Sequence, residues 1–227
     1  MKCRTIFSSS VVLILLFSSA SEADTFRYVA VGDSYTLGTG VDAHESWPSQ
    51  LAARLNASGI AVDLTANLGQ TGWTAQQAID GELPLLLDLK PDFVTLLIGV
   101  NDWIRGVSSR IFTLRIQVLM DGIRKHLPDP KKLLVITIPD FSCSPRGKTW
   151  GYGKSAVNGI HRLNKIIKFE AALRNLPVVE IYSLSQEACS QEKMFAHDEL
   201  HPSARQYSRW VESIFPIASD LLAGKTD

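Results

Sequence analysis

Five short apolar runs, at residues 26–31, 60–66, 93–98, 133–138 and 178–182, punctuate the chain, each separated from the next by a stretch long enough to hold a helix and its loops. Antiparallel neighbours need only a tight turn between them, whereas parallel neighbours need a crossover of about a dozen residues or more, usually helical. The spacing therefore predicts a five-stranded parallel sheet covered by helices, a three-layer α/β/α sandwich. The intervening segments agree with this. Ser46-Trp47-Pro48-Ser49 supplies a capping serine and a proline in the first helical turn, and Leu51 and Leu55 give the first helix an apolar face. Helix is also expected over 74–89, broken by Gly81 and Pro84, with cleaner patterns over 109–127 and 154–176 and a closing helix over 202–222. Within 154–176, Ile160, Leu163, Ile167 and Ala171 recur every three or four residues, as a buried helical face requires.

Groups capable of chemistry gather where these runs end, and ligands of open parallel sheets bind beyond the carboxyl ends of the strands. Ser34, in Gly32-Asp33-Ser34, directly follows Tyr28-Val29-Ala30-Val31. A serine hydroxyl is a weak nucleophile until an imidazole takes its proton, and that imidazole needs a carboxylate on its other nitrogen to fix its tautomer. Asp198-Glu199-Leu200-His201 sets an aspartate three residues before a histidine, close enough to meet within one turn of chain. Ser34, His201 and Asp198 are accordingly the candidate nucleophile, base and orienting acid. Two fragments between them carry groups suited to a developing oxyanion. Gly69, in Asn67-Leu68-Gly69-Gln70-Thr71-Gly72, permits close backbone approach, and Asn101, in Gly99-Val100-Asn101-Asp102, offers a side-chain amide. With the Ser34 N–H they make the candidate oxyanion hole.

Taken in order, Gly32-Asp33-Ser34, the Gly69 fragment, Gly99-x-Asn101-Asp102 and Asp198-x-x-His201 resemble the four motif blocks of the SGNH hydrolases, also called the GDSL esterase/lipase family. The resemblance spans almost all of the chain after its N-terminal segment. It implies the flavodoxin-like strand order 2-1-3-4-5 and hydrolysis of a carboxylic ester, a thioester or a lysophospholipid through an acyl-enzyme, with neither metal nor organic cofactor. Carbohydrate O-acetylesterases occur in the same family and give the alternative substrate class. Tyr35 stands where the family's pattern has leucine, a departure that bears on substrate shape rather than on chemistry.

The N-terminus reads as a secretory signal peptide over residues 1–23: Lys2 and Arg4, the apolar stretch Val11 to Phe17, then small residues that allow cleavage after Ala20 or Ala23. That apolar core is too short to span a bilayer. Its removal takes away Lys2, Arg4 and Glu22 and leaves 21 basic against 22 acidic residues. A balance so near neutrality argues against nucleic acid as a partner, since clustered Lys and Arg supply most of such affinity. The remaining 24–227 read as one domain, a monomer acting on a small-molecule, lipid or carbohydrate ester in a secreted or periplasmic setting. Cleavage also removes Cys3, leaving Cys143 and Cys189 as an expected disulfide in an oxidising compartment.

The same residues admit competing readings. His197 and His201 stand four apart, as zinc ligands do on a helix, but Pro202 pushes His201 out of helical conformation and the glutamate is misplaced for a metalloprotease motif. Residue 36 is Thr, so Ser34 lacks the Gly-x-Ser-x-Gly of α/β-hydrolases. A non-catalytic ligand-binding module on this fold would lack at least one catalytic group, and none is lacking. Asp33 is assigned to holding its loop and Asp102 to structural hydrogen bonding; His197 falls at the pocket rim, while His44, His126 and His161 belong to the surface. The longest irregular stretch, 140–154 with Trp150 and Tyr152, is expected to border the cleft.

Overall fold

The computed structural model describes residues 25–191 and 193–224; the expected signal peptide lies outside them. In chain order the elements are β1 (Phe26–Gly32), α1 (Ser34–Leu37), a 3₁₀ turn at Ala43–Glu45, α2 (Trp47–Ala57), β2 (Val62–Asn67) and α3 (Ala75–Gly81). A second 3₁₀ turn at Leu83–Leu85 leads to α4 (Leu86–Leu89), β3 (Phe93–Leu97), α5 (Val100–Ile104), α6 (Ser109–Lys125) and β4 (Leu133–Ile136). The chain closes with α7 (Pro145–Thr149), α8 (Gly153–Leu173), β5 (Val178–Val179), α9 (Tyr182–Ala188) and α10 (Ala204–Leu222).

All five strands are parallel, in the order β2-β1-β3-β4-β5. The reversal beside β1 sends the first crossover to one side of the sheet and the next three to the other. α2 accordingly packs with α10, while α6 lies between α3 and α8. Strands covered on both faces read as unbroken apolar runs. Every residue of β3 and β4 is buried, as are the last five of β1, whereas the edge strand β2 exposes Asp63 and buries only Val62. On α6, Phe112, Ile116, Leu119, Met120 and Ile123 form the buried stripe, and the four apolar positions expected of α8 are all buried.

Local chemistry sets the ends. The interruption expected within 74–89 is present: a Cβ on Gly81 would lie 2.4 Å from the Trp73 ring, and Pro84 opens the 3₁₀ turn that comes next. The fifth strand is shorter than its apolar run. Thr137 Oγ1 accepts the Ile181 N–H at 3.0 Å and Glu180 Oε1 accepts the Tyr182 N–H at 2.7 Å, so Tyr182 starts α9 instead of extending the ladder. The stretch 140–154 is not wholly irregular, because Ser144 caps α7 by accepting the Gly147 N–H at 2.9 Å.

Cys143 and Cys189 are joined, their Cα atoms 5.5 Å apart and 46 residues apart in sequence. Closing a loop of that length lowers the entropy of the unfolded chain enough to stabilise the fold by roughly 4 kcal/mol. The bridge ties the segment before α7 to the end of α9, just ahead of Asp198. No helix among the described residues is long and apolar enough to cross a membrane.

Candidate active site

β1 ends on Gly32, where a Cβ would fall 2.2 Å from the Leu97 carbonyl and 2.3 Å from Thr36 Oγ1, so only glycine lets the chain turn this closely against β3. Asp33 then caps α1 by accepting the Tyr35 N–H at 3.1 Å, and Ser34 becomes the first helical residue, 5% exposed at the carboxyl edge of the sheet. The expected local role of Asp33 is therefore its role in the structure.

The turn at Asp198–His201 delivers the other two groups. Asp198 Oδ1 accepts the N–H groups of Leu200 and His201, each at 3.0 Å, while its Oδ2 lies 2.5 Å from His201 Nδ1. Nε2 of the same ring is 2.9 Å from Ser34 Oγ. Because the carboxylate can only accept, it fixes the proton on Nδ1 and leaves Nε2 to accept from the serine hydroxyl. Burial pushes the Asp198 carboxyl upward, but the bonds from the His201 ring and the two N–H groups outweigh it and hold this acid below its usual range. Tyr35 packs edge-on to the imidazole, ring centroids 5.7 Å apart. Pro202 pairs with Phe195 in an antiparallel bridge, and His197 turns away to place Nδ1 3.2 Å from the Gly40 carbonyl. The two histidines thus face different partners.

Asn101 also reaches this edge. Gly99, with φ +128°, turns the chain out of β3 into α5, and Asn101 Nδ2 donates to the Trp73 carbonyl at 2.9 Å, leaving its second N–H for the cleft. Asp102 is fully buried and structural as expected, joining the Ala75 N–H at 2.7 Å to Arg115 at 3.1 Å.

Gly69, in contrast, is set back from the cleft. A Cβ there would lie 2.4 Å from the Leu37 nitrogen and 2.8 Å from the Asp33 carbonyl, and its N–H is already donated to Asn67 Oδ1 at 3.2 Å. The expectation that Gly69 faces an oxyanion is corrected: its missing side chain serves packing against α1. Gly72, at φ +81°, lines the cleft with Ser34, Asn101 and His201 instead. Its one mark in the sequence is that it is the second glycine of the same fragment.

Two carboxyl groups pack against the Gly32–Ser34 turn. Glu82, 1% exposed, accepts the Gly32 N–H at 2.8 Å, and nothing in the spacing of a broken helix marks it for this position. Burial drives its carboxyl to about 9, opposed by the Gly32 bond and reinforced by the charge of Asp33. Burial likewise raises Asp33 to about 7, against the Tyr35 and Gly99 N–H groups and with the Asp102 charge adding to the rise. The fold therefore holds Glu82 neutral. A raised carboxyl stabilises fully below its ordinary value of 4.5 and loses that contribution as pH climbs towards 9. Glu82→Gln keeps a neutral acceptor for Gly32, so its melting temperature should match the parent near pH 4 and exceed it at pH 9. Equal melting temperatures at both pH values would mean that Glu82 is not held neutral.

Comparison with known proteins covers most of the chain. Residues 30–209 match the GDSL-like lipase/acylhydrolase family. Esterase TesA of Pseudomonas aeruginosa is 23% identical over 219 residues, covering 96% of this chain and 100% of that protein. An arylesterase of Vibrio mimicus is 32% identical over 117 residues, so that the match spans 51% of this chain and only 56% of that relative. Among solved structures, TesA aligns with a TM-score of 0.69 at 22% identity, over 86% of this chain and 99% of its own. A family 3 carbohydrate esterase of Clostridium thermocellum aligns at 0.68 and 21%, over 90% and 100%.

Proposed function

The chain belongs to the GDSL-like lipase/acylhydrolase family, and on that footing we propose that it is a serine esterase that cleaves carboxylic esters through an acyl-enzyme formed on Ser34. The observation that carries this reading is the unbroken relay from Asp198 Oδ2 through the His201 ring to Ser34 Oγ, with contacts of 2.5 and 2.9 Å. His201 Nε2 removes the hydroxyl proton as Oγ attacks the acyl carbon, and the ionised Asp198 stabilises the imidazolium that forms. Negative charge develops on the carbonyl oxygen, where the Ser34 N–H, the Gly72 N–H and the second Nδ2 hydrogen of Asn101 receive it. His201 then protonates the departing alcohol oxygen, and a water taking the alcohol's place gives its proton to His201 as it attacks the acyl carbon, after which His201 returns the proton to Ser34 Oγ as the acid leaves. Every step uses groups of this chain, and none of them requires a metal or organic cofactor.

A carbohydrate O-acetylesterase remains the second reading, favoured by the exposed rings of Trp150 and Tyr152 near the cleft, which suit stacking on a sugar. The complete relay speaks against a purely binding role. Treatment with an organophosphonate that labels active serines, followed by peptide mass spectrometry, should place a single adduct on Ser34 and stop turnover of p-nitrophenyl acetate in proportion. An adduct elsewhere, or full turnover after Ser34 is labelled, would overturn the assignment.

A further inference from the structure

Four aromatic rings meet in one cluster, two of which, Phe141 and Trp150, line the cleft with Ser34. Trp103 of α5 lies 5.8 Å from Phe141 and 5.1 Å from Tyr152, and Trp150 lies 5.6 Å from Phe141 and 6.3 Å from Tyr152, centroid to centroid. Phe141 and Trp150 line the cleft together with Val100 and Ile104, and the whole cleft, Ser34 and His201 included, amounts to about 160 Å³. An apolar cavity of about 150 Å³ holds one benzene ring, roughly six carbon atoms.

The geometry of attack decides which part of the substrate meets these rings. Besides Ser34 Oγ, the tetrahedral carbon carries three substituents. Its oxyanion lies towards Gly72 and Asn101, and its leaving oxygen lies within reach of His201 Nε2. The third substituent, the acyl chain, is left with the rest of the lining, to which Val100, Ile104, Phe141 and Trp150 contribute beside Tyr35, Thr71 and Leu200.

These walls are not soft. Trp103 is seated against α8 where a Cβ on Gly159 would fall 1.6 Å from its indole nitrogen, so no larger residue lets the ring lie there. Phe141 is 2% exposed, and its carbonyl lies 2.1 Å from where a Gly147 Cβ would be. The segment carrying Phe141 and Trp150 is held by the Cys143–Cys189 bridge and by the Arg146 N–H, which donates to the Glu199 carbonyl at 3.0 Å inside the catalytic turn. A chain too long for the space meets Phe141 held in place by its packing. Trp150, 40% exposed, is the most exposed ring that lines the cleft.

Resting on the serine-esterase reading, we infer that Phe141 and Trp150 close the acyl site and confine this enzyme to acyl chains of about six carbons or fewer. Two series of esters test this. In the first, p-nitrophenyl esters run from acetate to dodecanoate; in the second, acetates of alcohols of increasing length are compared. The parent enzyme should reach its highest kcat/KM at or below hexanoate and fall at least about tenfold by decanoate, because a chain the walls exclude cannot bring its carbonyl into line with Ser34. Trp150→Ala should raise the decanoate-to-butyrate ratio about tenfold and leave the alcohol series unmoved. Ile104→Trp, at another exposed residue of the same lining, should act in the opposite direction and restrict turnover to acetate. A parent preference for long acyl chains, unmoved acyl profiles in both variants, or a response in the alcohol series instead would overturn the inference. Ser34 labelled by phosphonate with an unmoved profile defeats the acyl wall alone, whereas no label and no ester turnover defeat the esterase reading and the wall with it.

Discussion

Ser34→Ala is expected to lower kcat by about 10⁶-fold, the scale on which a serine hydrolase loses turnover when its nucleophile is removed. The expectation rests on how completely the relay depends on one oxygen. Asp198 is held ionised, His201 is oriented by it, and the only acceptor capacity left on the imidazole points at Ser34 Oγ, 2.9 Å away. Without that hydroxyl, the histidine has no proton to take and the oxyanion donors have no covalent intermediate to stabilise. His201→Ala should cost about as much, and the double variant little more than either alone, because residues acting as a unit are not additive. Asp198→Asn should cost about 10⁴-fold, since an amide can donate to Nδ1 and favours the wrong tautomer. Steady-state kinetics on p-nitrophenyl acetate, with circular dichroism to show that each variant is folded, reads these outcomes. A loss below about a hundredfold for Ser34→Ala would remove it as nucleophile, because the oxyanion donors alone account for effects of that size.

Much of this site is legible in residue order, and the reasons lie in particular residues. Ser34, Asn101 and the Asp198–His201 turn each sit directly after a strand or in a late loop, so their positions come from the strand assignments, and strands buried on both faces leave a strong apolar signature. The glycine is harder to place. Gly69 and Gly72 share one fragment, and which of them faces the cleft depends on how β2 hands the chain over to α3: Asn67 takes up the Gly69 N–H, and the bridge between Asp33 and Gln70 pins the intervening turn against α1. Neither contact is a property of local sequence. Glu82 is out of reach for a related reason, since its partner Gly32 is 50 residues away and only the crossover from β2 to β3 brings them together. The fifth strand looks longer in sequence than it is because Ile181 and Tyr182 continue its apolar run, whereas the hydrogen bonds that end the ladder come from Thr137 and from the Glu180 side chain.

Asn101→Ala separates a working oxyanion hole from a structural tie, because the side chain is placed to do both. One Nδ2 hydrogen is engaged by the Trp73 carbonyl at 2.9 Å, a contact that joins the start of α5 to the loop before α3. Losing it should lower stability by about 1 kcal/mol, the usual net value of one such hydrogen bond. In the proposed mechanism the other hydrogen meets the substrate most strongly once charge has moved onto the carbonyl oxygen. Its loss should lower kcat by about 10²–10³ and leave KM nearly unchanged, because the interaction is far stronger in the transition state than in the bound ester. The nucleophile and its base remain in place, so the phosphonate should still modify Ser34, only more slowly. Asp102, the next residue, supplies the contrast: fully buried between Ala75 and Arg115, it touches no substrate, and Asp102→Asn should shift the melting temperature with kcat far less affected. Both variants should therefore shift in thermal unfolding, and kinetics separates them: kcat falls steeply only in Asn101→Ala if Asn101 stabilises the oxyanion. An Asn101→Ala enzyme that loses stability but keeps its kcat would reduce this residue to a tie between α5 and the Trp73 loop, leaving the backbone N–H groups of Ser34 and Gly72 to hold the charge.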